Sequence, residues 1–304
     1  MSVVPTNIAP LVAKKPSMTE SSNVKNISTA PHAATPPLLE LREISKRFTK
    51  KPDIAHRLAI KLGLASPPPT VHAVDHASIS IRPREVIGLV GESGCGKSTL
   101  GRIAVGLYEP SDGVRLWQGR AFNSLNSSEK YQAQLKMQMV FQDPYASLNP
   151  RLRVEDIVGE APVVHGLITK SQRREFVEEM LRTVGLDPAV ARRFPHQFSG
   201  GQRARVGIAR ALALRSEFLV CDEAVAALDV SIQAQVINLF MRLREDLNLT
   251  YMFISHDLGV VRHISDRVVI MYLGRVVEEA PTQELFDRPN HPYSQALLAE
   301  APTL

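Results

Sequence analysis

The stretch "VIGLVGESGCGKSTL" limits the fold of this chain more than any other. Five apolar residues end at Val90, and nine residues, Gly91, Glu92, Ser93, Gly94, Cys95, Gly96, Lys97, Ser98 and Thr99, follow in the pattern G-x-x-x-x-G-K-[ST]. Leu100, Ile103, Ala104 and Leu107 then recur at helical spacing. Strand, glycine loop and helix in that order make a phosphate cradle. The glycines let the backbone curl so that its N–H groups converge, and the helix start adds its positive dipole end. Lys97 is placed to reach the β- and γ-phosphates, and Ser98 offers a hydroxyl to Mg²⁺.

The rest of the chain alternates in the same manner. "QMVF" (138–141), "FLVC" (218–221) and "YMFI" (251–254) read as short buried strands, and Val236, Leu239, Phe240, Leu243 and Leu247 as a helix between the last two. This is the signature of a mostly parallel sheet covered by helices. From about 143 to 198 strand signals vanish. Thr169 and Gln172 read as a capping box, and Val177, Leu181 and Val184 as one helical face, so a helical subdomain is inserted there. Residues 1–37, rich in Pro, Ser, Thr, Asn and Ala, read as a disordered arm without the features of a transit or signal peptide. Residues 38–285 read as the catalytic domain and 286–304 as a C-terminal extension. Residues 50–70 look like an insertion whose "DIAHRLAIKLGLA" has the pattern of a short basic amphipathic helix. No apolar run reaches the ~18–20 residues needed to span a bilayer. Two cysteines among 304 residues are too few for a disulfide framework, and a net charge of +5 without a basic stripe reads as a mixed solvated surface rather than a nucleic-acid or anionic-lipid one.

More polar residues stand at strand ends, where open α/β sheets bind ligands. Asp222 closes "FLVCD" as a metal carboxylate. Glu223 follows as the group that polarises the attacking water. Gln142 follows "QMVF", suited to ordering the water or the metal, and His256 follows "YMFI", within reach of a γ-phosphate. The metal set is therefore Ser98, Gln142 and Asp222, and the catalytic set Glu223, His256 and Gln142. Far from the cradle, Ser199, Gly200, Gly201 and Gln202 open a further helix, as half a phosphate site without a lysine. In that helix Val206, Ala209 and Ala213 read as the packing face, with Arg203, Arg205 and Arg210 on the polar side.

The order and spacing of Gly91–Thr99, Gln142, "SGGQ" at 199–202, "DE" at 222–223, "ALD" at 227–229 and His256 resemble the ATPase subunits of ABC transporters from about Leu38 onward. The resemblance implies an α/β P-loop NTPase core with a mostly parallel central sheet, an N-terminal antiparallel β region and an inserted helical subdomain. It implies ATP and Mg²⁺ as ligands, and a head-to-tail pair of subunits in which Ser199–Gln202 face the γ-phosphate held by the opposite lysine. It further assigns Gln142 to coupling with a membrane subunit, Asp229 to communication across the pair, and Phe48 to stacking on adenine. "QDPYASLNPR" (142–151), "LDVSIQAQVINLF" (228–240) and "HPYSQALL" (291–298) are similar to the oligopeptide, dipeptide and nickel importer ATPases of bacteria. That narrower resemblance implies a second, different ATPase subunit, two transmembrane permease subunits, a periplasmic binding protein and a peripheral place on the cytoplasmic face of the inner membrane, with no nucleic-acid partner. The chain departs from the family at Ala224, Ala226, Ala204 and Gln197, where proline, serine, glutamine and glutamate are common. With the phosphate, metal and base positions intact, activity is expected, with Ala224 and Ala226 tuning the two sites or making them unequal. A soluble ABC ATPase acting on nucleic acid or ribosomes would be expected to carry long coiled-coil insertions or tandem cassettes, neither visible here. A regulatory subunit with weak hydrolysis would not need Glu223 and His256.

Overall fold

The computed structural model describes residues 36–49, 68–143 and 147–299. Nearly all of the N-terminal arm, the helix expected within 50–70 and the last five residues lie outside them.

Two sheets form the frame. A four-stranded antiparallel sheet has the order β2-β1-β4-β5, from β1 (Leu39–Thr49), β2 (Thr70–Ile81), β4 (Asp112–Trp117) and β5 (Arg120–Ala121). Its register pairs Leu39 with Ile81 and Phe48 with Val71. The six-stranded sheet has the order β10-β9-β3-β8-β7-β6. Its strands β3 (Val86–Val90), β6 (Met137–Val140), β7 (Phe218–Asp222), β8 (Thr250–Ile254) and β9 (Arg267–Tyr272) are mutually parallel, and β10 (Arg275–Pro281) returns antiparallel at the edge. The central strands are apolar without alternation because both faces are covered. On β7, Leu219 and Cys221 face one core, and Phe218 and Val220 face the other; on β8, Tyr251 and Phe253 oppose Met252 and Ile254 in the same way. The second core closes over helix α1 (Lys97–Ala104) and under the small sheet through Leu39, Leu41, Ile79 and Ile81. Helix α2 (Ser127–Leu135) leads into β6 behind an Asn126–Glu129 capping box.

Between β6 and the next strand lie three helices, α3 (Val154–Val164), α4 (Arg173–Thr183) and α5 (Gly200–Leu212). Val154, Val158, Phe176, Val177 and Leu181 pack them on the first core. The Thr169–Gln172 box forms only in half. Gln172 Oε1 accepts the Thr169 N–H at 2.9 Å, but these residues make a turn and α4 starts one residue later, with Gln172 itself as an N-cap lacking a side-chain bond. A turn closed by its own side chain competes with helix extension, which is why the pattern misled.

The arginines of α5 are also not a solvated face. Arg203 is 7% exposed and donates to the Pro195 and His196 carbonyls at 2.7 and 3.4 Å. Arg205 donates to the Val184 carbonyl, and Arg210 to the Ser147 carbonyl. Each guanidinium ties a neighbouring loop to α5 through a backbone carbonyl, which sequence periodicity does not reveal. Arg203→Ala should therefore lower stability by about 2 kcal/mol, read as a fall in the unfolding midpoint. A midpoint within half a degree of wild type would contradict that role.

Behind α5 and β7 follow α6 (Val230–Leu247), α7 (Leu258–Ile264), α8 (Thr282–Asp287) and α9 (Pro292–Ala299). The last two pack Phe286, Tyr293, Leu297 and Leu298 on a third cluster around Val90, Val268 and Ile270.

Candidate functional site

The glycine loop leaves β3 at Val90 and enters α1 at Lys97. Gly96 sits at φ 107°, and a β-carbon there would stand 2.1 Å from the Ala73 carbonyl oxygen. Only glycine fits both the backbone angle and the approach of β2. A cleft of about 300 Å³ opens on the loop, lined by Ser93, Gly94, Gly96, Lys97, Ser98 and Thr99, by Val71, His72 and Ala73 of β2, and by Gln142 and Glu223. Gly91, Glu92 and Cys95 complete the loop without lining the cleft. The Lys97 ammonium is 2.7 Å from both the Gly91 and the Glu92 carbonyl oxygens, close over the loop.

Two consecutive acids at the end of β7 point to different tasks. Ser98 donates its hydroxyl to Asp222 Oδ1 at 2.7 Å, and Arg102 lies 3.9 Å from Oδ2. Burial pushes the Asp222 carboxyl above the usual carboxylate range, and the Ser98 hydrogen bond and the Arg102 charge only partly offset it. Glu223 adopts φ 48° and donates its N–H to the Ile254 carbonyl at 2.9 Å. A left-handed angle at a side-chain-bearing residue costs roughly 1–2 kcal/mol, and strain of this kind accumulates at functional sites. Here it turns Glu223 away from Asp222. Gln142 donates Nε2 to Glu223 Oε2 at 2.7 Å, and His256 Nδ1 lies 3.5 Å from the same oxygen. Ser98 on the cleft and Asp222 bonded behind it thus present hard oxygens, and Gln142 and Glu223 on the cleft form a second group with His256. The hard donor set suits a small divalent cation completed by phosphate oxygens and water. Among the described residues no cluster of three His, Cys, Asp or Glu side chains offers a protein-only metal cage.

Other expected residues stand elsewhere. Phe48 is 39% exposed, its ring edge-on to Tyr108 at 5.7 Å with Lys46 over it, and it does not line the cleft. The wall is built instead from its register neighbour Val71 and from His72 and Ala73. Nor do Ser199, Gly200, Gly201 and Gln202 line it. Ser199 caps α5, its hydroxyl accepting the Gln202 N–H at 3.3 Å while the Gln202 side chain accepts the Ser199 N–H at 3.1 Å. Gly201 has a packing reason as well, since a β-carbon there would meet Ile232 of α6 at 2.4 Å. Asp229 is exposed at the start of α6. The strand before Gln142 ends at Val140, so Phe141 intervenes and Gln142 reaches Glu223 from a loop. Sequence reading missed Arg102, although its i,i+4 spacing from Ser98 on one helix was available as a signal. It also missed the β2 wall, which no local pattern marks.

Comparison with known proteins agrees with this geometry. The family described as ABC transporter matches residues 74–226. The oligopeptide transport ATP-binding protein AppF of Bacillus subtilis (strain 168) is 52% identical over 267 residues, 87% of this chain and 78% of that protein. The dipeptide transport ATP-binding protein DppF of Haemophilus influenzae is 46% identical over 81% of this chain and 75% of its own length. Among solved structures, the dimeric post-hydrolysis state of the ATP-binding cassette MJ0796 bound to ADP and Pi superimposes with a TM-score of 0.66 at 27% identity, over 80% of this chain and 98% of that one.

Proposed function

Because the chain belongs to the ABC transporter family, we propose that it is the ATP-hydrolysing subunit of a peptide importer, working as one of a pair of cassettes beneath two permease subunits. The observation that carries the catalytic part is the Gln142–Glu223–His256 group set beside the phosphate cradle. The peptide part rests on relatives whose names are those of oligopeptide and dipeptide transport proteins.

In this reading Lys97 leaves the Gly91 and Glu92 carbonyls for the β- and γ-phosphates, and the loop N–H groups take the remaining phosphate oxygens. Ser98 and Asp222, with Gln142, would hold Mg²⁺, which when bound neutralises charge developing between the β- and γ-phosphates. Glu223 accepts the proton of the attacking water, oriented by Gln142, while His256 contacts the γ-phosphate. Ser199 and the N-terminus of α5 face the γ-phosphate of a partner subunit, with Asp229 at the same junction. Closure is then favoured only by the triphosphate, because only its γ-phosphate touches both subunits. Phe48 approaches the adenine once nucleotide is bound. Ala226 donates its N–H to the Glu223 carbonyl and Leu228 its N–H to the Val225 carbonyl, so backbone turns hold the segment that carries Ala224 and Ala226.

No helix among the described residues is long and apolar enough to cross a membrane, so contact with the bilayer comes through the permease. A groove of about 440 Å³ beside Phe141, lined also by Val105, Leu107, Tyr131, Met139 and Leu214, supports a permease seat next to Gln142. Leu107, Tyr131 and Phe141 are exposed there. A periplasmic binding protein and a non-identical second ATPase complete the assembly. In cells lacking the native gene, the wild-type chain should restore uptake of a labelled oligopeptide and Lys97→Ala should not. Equal uptake by both would end the reading.

A further inference from the structure

"HPYSQALL" marks the C-terminal extension, yet nothing in the hydrolysis chemistry uses it. The fold brings it to the phosphate loop. Glu278 of β10 accepts the N–H groups of Asn290 and His291 at 2.8 and 3.0 Å, and His291 Nδ1 accepts the Tyr293 N–H at 3.1 Å. These bonds fix the start of α9. The Tyr293 ring then lies against Tyr272 at the end of β9, with centroids 4.2 Å apart, and Leu297 and Leu298 pack on the cluster that contains Val90. The Tyr293 hydroxyl accepts the Glu92 N–H at 3.0 Å, a link across 201 residues of chain.

The Glu92 residue is thereby held on both sides. Its N–H is bound by Tyr293, and its carbonyl oxygen receives Lys97 at 2.7 Å. Glu92 does not line the cleft, so the phenol competes with no phosphate.

We propose that Tyr293 is a positioning residue for ATP binding: its hydroxyl fixes the first turn of the phosphate loop and so sets the conformation in which the loop N–H groups and Lys97 meet the phosphates. The ATP site of this chain would then include its C-terminal extension. The inference rests on the reading of Gly91–Thr99 as the ATP cradle.

Tyr293→Phe removes one oxygen and keeps the ring contact. A hydrogen bond of this kind has a net worth of about 1 kcal/mol, so MgATP affinity of the full-length chain, measured by titration calorimetry, should weaken ~3–10-fold. In the assembled transporter KM for ATP should rise by the same factor with kcat changed less than twofold. Tyr272→Phe, which loses a hydroxyl from the neighbouring ring, should bind ATP as wild type does. Amide hydrogen exchange at Glu92 should be slow in wild type and faster in Tyr293→Phe. Unchanged affinity in Tyr293→Phe, an equal loss in Tyr272→Phe, or an unprotected Glu92 amide in wild type would each overturn the proposal. Lys97→Ala, run in the same titration, should abolish binding. If it does not, the cradle reading itself fails, independently of Tyr293.

Discussion

Glu223→Gln is expected to bind ATP normally and to hydrolyse it at least ~10²–10³-fold more slowly, about 3–4 kcal/mol of transition-state stabilisation. The amide keeps the shape of the side chain and can still pair with Gln142, which lies 2.7 Å from Glu223 in the native chain. It cannot accept a proton from water. Binding should survive because Lys97, Ser98 and the loop N–H groups do not depend on that carboxylate; their partners are Gly91, Glu92 and Asp222. Arrested turnover with binding intact should leave ATP trapped between two subunits. Gel filtration in ATP would show a stable dimer for Glu223→Gln and an ADP-releasing monomer for wild type. A variant that turns over within tenfold of wild type would mean that the base is another group.

Ser199→Arg should abolish turnover by at least ~10²-fold, about 2.7 kcal/mol, while leaving nucleotide affinity near wild type. Ser199 does not line the cleft of its own subunit, so its loss has no direct route to Lys97. Its hydroxyl caps α5, and that contribution is only about 1 kcal/mol of helix stability. The larger effect is steric. A guanidinium on a long side chain would stand where, in the proposed pair, the N-terminus of α5 meets a partner's γ-phosphate. Ser199→Thr, which keeps the cap, should retain most activity. If Ser199→Arg hydrolyses ATP at the wild-type rate, the shared-site mechanism is wrong even though the cradle stands.

Much of this molecule is legible in order along the chain. The strand–loop–helix at Val86–Ala104 follows from an apolar run, glycines and a 3.6-residue pattern, all local. The strands that deliver Asp222 and precede His256 follow from short apolar runs in the same way. Where the reading failed, the cause was a contact the local pattern does not carry. Arg203 looked like a surface residue because charge usually means solvent, but its acceptors are carbonyls of the preceding turn brought under α5 by packing. Thr169 and Gln172 had the right spacing for a helix cap and made a turn instead.

By itself the sequence marked the candidate chemistry: a phosphate-loop pattern, an aspartate and a glutamate in succession at a strand end, and a second glycine-rich helix start, because each is a short run recognisable from residue types and spacing. Tertiary structure alone decided where these runs meet. The parallel order β3-β8-β7-β6 sets Ser98 against Asp222 and Gln142 against Glu223 across 124 and 81 residues. The left-handed turn at Glu223 sends two adjacent carboxylates to different partners. The last helix brings Tyr293 to Glu92. Sequence spacing records neighbours along a helix or strand, whereas these pairs are fixed by sheet order and by how the layers bury their apolar faces.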